Sequence, residues 1–115
     1  MLLKTNTNKI NELVHRIAKA YGASIETEYV CDGTGEYADS CSMYFVIRYG
    51  FAVKKIRISD HTAQHKDVWW QKDIKSITVG ANTTYNDIER FIVNRINEVK
   101  RGALYAAFDH ISKCA

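Results

Sequence analysis

The sequence contains no proline, only three cysteines and no long apolar run. With 46% hydrophobic and 25% charged residues, the lack of proline argues against a disordered or low-complexity segment. No apolar stretch approaches the ~20 residues that a membrane-spanning helix requires. We therefore expect a soluble globular chain that does not cross a membrane.

The three cysteines, Cys31, Cys41 and Cys114, are an odd number, which does not suit a framework of paired disulfides. The apolar start, Met1–Leu3, is far shorter than the core of a secretion signal. Both observations predict a reducing, cytoplasmic compartment. Cys31 and Cys41 flank a turn-rich segment, so either they pair across a hairpin or they are buried thiols.

The chain length predicts one compact domain that spans residues 1–115. A domain of this size buries roughly two-thirds of its unfolded surface, which is enough for a hydrophobic core that needs no disulfide or metal to stabilise it. The net charge of +3 is a mild basic excess, which favours anionic partners. Nucleic acid, nucleotides and acidic protein surfaces all remain open as partners.

The first third of the chain predicts a helix and then a strand at the edge of a sheet. Apolar residues recur at helical spacing from Ile10 to Tyr21, and Gly22 follows where a left-handed C-terminal cap would lie. We expect this helix over residues 8–21. Residues 24–31 then alternate between apolar or β-branched and acidic side chains, which is typical of a half-buried edge strand.

The segment 42–61 predicts two strands joined at Tyr49 and Gly50. The first strand is apolar on both faces, so we place it inside the sheet. In the second strand, Ile56 and Ile58 share one face. The other face is expected to be exposed to solvent or to bind an anion. Because side chains alternate along a strand, this face carries four polar or cationic residues, namely Lys55, Arg57, Ser59 and His61.

The last third predicts a short strand over residues 74–79 and then helices. Thr83 or Thr84 caps the first of them, with Asp87 in a capping-box position. Gly102 predicts a break or bend, after which a third helix would turn its apolar residues inward, namely Leu104, Ala107, Phe108 and Ile111. The predicted fold class is α+β: a four-stranded, mainly antiparallel sheet with an N-terminal helix and two C-terminal helices.

The polar loop between the last two strands contains Trp69 and Trp70. Tryptophan side chains are usually placed where their large surface is covered. Either these two fold back over the core, or they belong to a binding surface or an oligomer contact.

The residues that follow the second hairpin strand have the types of a metal or acid/base site, since Asp60, His61, His65 and Asp67 lie close in sequence. However, the run HTAQH lacks the glutamate of a zinc-protease helix. Ser59 lies near His61 but has no glycine-flanked nucleophile turn around it. We therefore expect no metal, no cofactor and no catalysis.

A cationic constellation indicates ligand binding more clearly. Forked guanidinium groups grip phosphates, and flat rings stack on bases. The alternative is that the helix arginines pair only with Glu89, Glu98 and Asp87 on a solvated face. The candidate ligand-binding residues are Arg57, Tyr85, Phe91, Asn94, Arg95, Arg101 and Tyr105.

The run IRISDH at 56–61, the strand ending ITVG at 77–80 and the helix YNDIERFIVNRI at 85–96 resemble a pattern in small phage counter-defence proteins. One such group is the Thoeris anti-defence sponge family. Its members are compact sheet-and-helix proteins that form dimers or higher oligomers and sequester a cyclic ADP-ribose signal or, in some cases, cyclic oligonucleotides. The second group is a basic type II-A anti-CRISPR protein with a similar order of elements.

The resemblance to the sponge family implies non-catalytic sequestration of a cyclic nucleotide-type immune signal in the host cytoplasm. The partners would then be a small anionic nucleotide and further copies of the chain, in a homodimer or higher homo-oligomer. The resemblance to the anti-CRISPR protein implies instead an inhibitor that binds nucleic acid or a Cas ribonucleoprotein. The small charge excess favours the sponge family. An inhibitor that competes with nucleic acid for the guide RNA or DNA channel of a nuclease has to replace several phosphates, which calls for a larger charge.

Overall fold

The computed structural model describes residues 1–32, 40–62 and 74–114, and for residues 29–32, 106 and 108–114 it describes the backbone alone. The predictions for His65, Asp67, Trp69 and Trp70 lie outside the described residues. The pairing of Cys31 with Cys41 also lies outside them, because the side chain of Cys31 is not described. Cys41 is fully buried.

Two helices and four strands follow one another along the described chain. The observed bounds lie within one or two residues of the predicted bounds, except at the C-terminal helix. The elements are α1 Thr7–Ala20, β1 Ser24–Asp32, β2 Cys41–Tyr49, β3 Ala52–Ser59, β4 Ile74–Thr78 and α2 Tyr85–Cys114.

The four strands form one sheet in the order β1-β2-β3-β4. β1 and β2 pair antiparallel, as do β2 and β3, whereas β3 and β4 are parallel. This confirms the α+β class, the mainly antiparallel sheet, the edge position of β1 and the internal position of β2. A two-residue turn joins β2 to β3, since Tyr49 lies opposite Ala52.

Both helices pack against one face of the sheet. On that face, Phe45 of β2 lies opposite Ile56 of β3, and Met43 lies opposite Ile58. Alternation turns the intervening strand residues to the opposite face. The strand residues of the helix-covered face join the helix stripes in a single core, whose helical members are Ile10, Leu13, Val14, Ile17, Ala18, Ile88, Ile92, Ile96 and Val99.

The end of α1 has the backbone pattern of a Schellman cap. The N–H of Ala23 donates to the carbonyl of Ala18 at 2.9 Å, and the N–H of Gly22 donates to the carbonyl of Lys19 at 3.2 Å. Gly22 has φ 72°, in the left-handed region that glycine adopts without steric cost. The predicted cap at this glycine is confirmed.

The start of α2 has the predicted capping box. The N–H of Thr84 donates to Oδ2 of Asp87 at 2.9 Å, and the N–H of Asp87 donates to Oγ1 of Thr84 at 3.2 Å. The pKa of Asp87 lies below its usual range, because the backbone N–H of Thr84 and then the Thr84 side chain hydrogen-bond to the charged carboxylate.

The predicted break at Gly102 is wrong, because α2 runs without interruption from Tyr85 to Cys114. The chain has one C-terminal helix in place of the two expected. A helical glycine costs only about 1 kcal/mol, and here the helix continues on both sides of it. Leu104 and Ala107 were expected to face inward, but both are exposed.

Lys100 ties α2 to two other elements. Its Nζ lies 5.5 Å from the ring centroid of Tyr21, just after α1, and 5.3 Å from that of Tyr49, at the end of β2. Such cation–π contacts contribute on the order of 0.5–1 kcal/mol at exposed sites. They close the core at the end of the sheet that carries the β2–β3 turn.

No helix among the described residues is long and apolar enough to cross a bilayer.

The continuous helix predicts that Gly102→Ala raises the free energy of unfolding by about 0.5–1 kcal/mol, because alanine has the higher helix propensity. A Cβ at this position would lie 3.9 Å from Cβ of Ala52, which is ordinary contact. Urea unfolding measures the change, and a decrease in stability would contradict a regular helix at this position. Gly22→Ala is the matched control and should destabilise, since its φ of 72° strains any other residue.

Candidate functional site

A buried polar cluster lies on the sheet face opposite the helices. The antiparallel register places Ser42 opposite Ser59 and Tyr44 opposite Arg57, and β3 is followed directly by two further polar residues. Arg57 and Ser59 are fully buried. We call this set the Arg57 cluster, and its members are Ser42, Tyr44, Arg57, Ser59, Asp60 and His61.

Arg57 donates four hydrogen bonds within the cluster. Its Nε donates to the hydroxyl of Tyr44 at 3.2 Å, and its Nη2 donates to Oγ of Ser42 at 3.2 Å. The other two bonds go to His61: Nη1 reaches the carbonyl oxygen at 3.3 Å, and Nη2 reaches Nε2 at 3.1 Å. All four acceptors are neutral when His61 is neutral, and no described carboxylate contacts this guanidinium.

The imidazole of His61 links Arg57 to Asp60. Because Nε2 accepts from Arg57, the ring proton is on Nδ1, which lies 2.8 Å from Oδ1 of Asp60. The other carboxylate oxygen of Asp60 accepts the backbone N–H of Cys41 at 3.0 Å. The one carboxylate of the cluster is thus one ring away from the guanidinium, and the imidazole lies between the two charges.

The two serines have fixed hydrogen-bond directions. Ser59 donates to the carbonyl of Cys41 at 3.2 Å, so the 2.8 Å contact with Ser42 uses the hydroxyl proton of Ser42. Ser59 lies 3.2 Å from Nδ1 of His61, the nitrogen that carries the proton. This arrangement offers Ser59 no base, and the cluster therefore lacks the geometry for serine nucleophilic catalysis.

Arg95 is also buried, but on the other face of the sheet. Its Nε and Nη2 both donate to the carbonyl of Lys55 at 3.3 Å, and its Nη1 donates to Oε2 of Glu98 at 2.9 Å. Glu98 also accepts from Lys75 of β4 at 2.8 Å. Arg95 therefore joins α2 to the sheet, and the structure does not bring it together with Arg57.

The remaining predicted residues spread along α2. The hydroxyl of Tyr85 donates to Oδ1 of Asn6 at 2.7 Å, Phe91 packs half-buried against the core, and Asn94 is exposed. Arg101 and Tyr105 are both exposed and lie four residues apart on one side of the helix. Arg101 and Tyr105 are thus a neighbouring exposed pair among the predicted ligand-binding residues.

Sequence reasoning missed Ser42 and Tyr44 as the partners of Arg57. The signal was present in the hairpin, since a two-residue turn that pairs Tyr49 with Ala52 also places Tyr44 opposite Arg57. Extending the register along the strands would have found both residues.

Within the part of the chain that the structure describes, no group of three His, Cys, Asp or Glu side chains could hold a metal ion.

Comparisons with known proteins give no match: no protein-family model, no curated protein and no solved structure matches the chain. Functional inference therefore depends on the geometry of the described residues.

Loss of the Tyr44 hydroxyl should destabilise the protein, because Nε of Arg57 would be left without its acceptor in a buried site. We expect Tyr44→Phe to lower the free energy of unfolding by about 1–3 kcal/mol. The control is Tyr85→Phe, which removes a hydroxyl from an exposed bond and should cost about 0.5–1 kcal/mol or less. Equal costs in urea unfolding would contradict the role of Tyr44.

The Glu98 contacts predict a pH-dependent contribution to stability. The hydrogen bond from Lys75, followed by the bond and charge of Arg95, holds the pKa of Glu98 below its ordinary value. The contribution is therefore present above the unfolded-state pKa and is lost as pH falls through the lowered folded-state pKa. In urea unfolding measured at decreasing pH, the free energy of unfolding of Glu98→Gln should therefore fall less steeply than that of the parent. We call this acid-side decrease in stability the acid limb.

The matched control for that experiment is Glu89→Gln, which removes an exposed carboxylate from the same helix. A variant at Glu98 whose acid limb coincides with that of the parent would show that the Lys75 and Arg95 contacts contribute nothing to stability.

Proposed function

We propose that this protein binds a small anionic ligand of the nucleotide type at the Arg57 cluster and sequesters it without chemical change. The observation that carries the proposal is a fully buried guanidinium with four neutral acceptors and no described carboxylate in contact. A buried charge is costly unless an opposite charge compensates it. A phosphate group would supply that charge.

His61 is the route by which a ligand would reach the guanidinium. It provides two of the four acceptors of Arg57, and 37% of its side chain is exposed. It also lies beyond the end of β3, outside the regular hydrogen bonding of the sheet. A phosphate that displaces the His61 ring replaces a neutral acceptor with charged oxygens, and charge-assisted hydrogen bonds are roughly twice as strong.

One N–H of Arg57 favours the same ligand chemistry. A guanidinium has five N–H donors, and the four described bonds use one hydrogen of Nη1 and both hydrogens of Nη2, besides that of Nε. The second hydrogen of Nη1 has no acceptor among the described residues. A bidentate phosphate would accept this hydrogen together with the one that His61 releases.

The resemblance to the Thoeris sponge family supplies the biological part of the proposal. The ligand would be a cyclic ADP-ribose-like signal or a cyclic oligonucleotide, and its removal would inhibit host antiphage defence. In the same proposal the protein acts in the host cytoplasm as a homodimer or higher homo-oligomer. Arg101 and Tyr105 are not part of this site, because the neighbouring Gly102 lies near Ala52 at the β2–β3 turn, at the other end of β3 from Arg57 and on the opposite face of the sheet.

Calorimetric titration with inorganic phosphate, ADP-ribose and a cyclic dinucleotide tests the proposal. We expect at least one of these probes to bind the parent chain. Arg57→Lys should weaken that binding at least tenfold, because lysine keeps the positive charge but lacks the paired N–H donors of the guanidinium. His61→Ala should bind severalfold more tightly, since a competing acceptor is removed. Arg95→Lys is the control on the opposite face and should bind as the parent does.

Several outcomes would overturn the proposal. They are the failure of all three probes, unchanged binding by Arg57→Lys, or loss of binding in Arg101→Ala alone. A protein that binds none of the three probes but co-purifies with a nuclease ribonucleoprotein would support the anti-CRISPR alternative. Melting temperatures of the variants show whether each is folded, and a saturating ligand at a hundred times its dissociation constant adds about 2.7 kcal/mol to stability.

A further inference from the structure

The imidazole of His61 contacts two groups of opposite charge, one at each ring nitrogen. Its Nε2 accepts a hydrogen bond from Nη2 of Arg57 at 3.1 Å, and its Nδ1–H donates to Oδ1 of Asp60 at 2.8 Å. The guanidinium stays charged, since arginine is not deprotonated in proteins. The neutral ring therefore uses both nitrogens, and a cation occupies the lone pair of Nε2.

Arg57 and Asp60 act on the charge of this ring in opposite directions. A protonated imidazole carries an N–H on both nitrogens. The N–H on Nε2 would then point at the N–H of Arg57, so that two cationic donors face each other. A carboxylate next to a ring instead favours the charged ring. The contact with Arg57 therefore opposes protonation of His61, and the contact with Asp60 supports it.

An anion at Arg57 would remove the opposing contact. A phosphate that displaces the ring accepts the hydrogen that Nε2 accepts in the absence of ligand, while Nδ1 can still donate to Asp60. The lone pair of Nε2 would then lie beside phosphate oxygens. A proton on Nε2 would convert this repulsion into a charge-assisted hydrogen bond, with a negative group at each end of the ring.

We propose that the Arg57 cluster takes up a proton on His61 when it binds its anion, so that the affinity for the anion rises as pH falls. The inference rests on the proposed function, because it concerns the same site and adds its regulation by pH. Histidine is the side chain whose ordinary charge change lies between about pH 5 and pH 8. Linkage makes the effect reciprocal, so a bound anion favours the protonated ring by the same factor.

The other described groups on this side of the sheet do not change charge in that range. Lys55 lies two residues before Arg57 on the same face and pairs with Glu28 at 3.5 Å, and such side chains keep their charges near neutral pH. The neighbours from the strands are hydroxyls, which are neutral there. They are Ser42 and Tyr44 of β2, Ser59 of β3, and Ser76 and Thr78, which β4 places beside β3.

Calorimetric titration at about pH 8 and about pH 6, on either side of the usual titration of histidine, tests the inference. The probes are ADP-ribose and a cyclic dinucleotide, whose phosphates keep the same charge at both pH values. Inorganic phosphate is not a suitable probe for this test, because a phosphate with a second acidic proton itself titrates in this range. We expect the parent to bind more tightly at the lower pH, by up to about tenfold per pH unit, the limit for one proton.

His61→Gln provides the decisive variant, because its amide can accept a hydrogen bond but takes up no proton. It should bind with nearly the same affinity at both pH values. His15→Gln is the matched control at an exposed histidine of α1, whose Nε2 lies 3.1 Å from Oγ1 of Thr27, and it should keep the pH dependence of the parent. The tighter binding expected of His61→Ala applies at the higher pH, where the ring is neutral and competes for Arg57.

Proton uptake can also be measured on the parent chain alone. Titrations at one pH in buffers of different ionisation enthalpy give the number of protons bound with the ligand, and we expect a net uptake of up to about one. Equal affinities at both pH values without proton uptake overturn the inference, and so does a pH dependence that His61→Gln retains. Both results leave the proposed function standing. A chain that binds neither probe at either pH overturns the inference, and the proposed function falls with it when inorganic phosphate also fails to bind.

Discussion

The antiparallel pairing of β2 with β3 determines which side chains meet on each face of the sheet. A shift by one residue would turn every side chain of β3 to the opposite face. Ile56 and Ile58 would then leave the core and Arg57 would enter it, among the apolar residues of both helices. The observed register avoids this and places Arg57 opposite Tyr44. The core and the polar cluster therefore depend on the same hairpin.

The two buried arginines are accommodated in different ways. Arg95 meets the carboxylate of Glu98 and the carbonyl of Lys55, so its charge is balanced locally and it joins helix to sheet. Arg57 meets hydroxyls, a carbonyl and an imidazole, and the nearest carboxylate of its cluster, Asp60, bonds to the far side of that imidazole. The second arrangement leaves more of the charge uncompensated, and this difference separates a structural role from a candidate ligand site.

The sequence predicted the elements and the strand faces because these follow from local periodicity. The cap at Gly22, the capping box at Thr84 and the hairpin at Gly50 are likewise local and were found. Continuity through Gly102 was missed, because a propensity cost of about 1 kcal/mol is small beside the packing of the whole helix. Helix propensity alone therefore does not set the end of this element.

The candidate site was predicted only in part. Arg57 was identified from strand periodicity, but its convergence with the arginines of α2 was expected from residue types alone. Periodicity already argued against that convergence, since the helices had to cover the face of Ile56 and Ile58 and Arg57 lies on the other. The burial of Arg95 could not be predicted, because no local pattern shows that a guanidinium will reach the carbonyl of Lys55, 40 residues away in sequence.

The continuity of α2 from Tyr85 to Cys114 has a mechanical consequence. Successive backbone hydrogen bonds connect all of its turns, so the direction of its C-terminal end depends on where Ile92, Ile96 and Val99 pack in the core. Arg95 and Lys100 add two polar attachments to the same rod. The C-terminal end of α2 therefore keeps one orientation relative to the sheet.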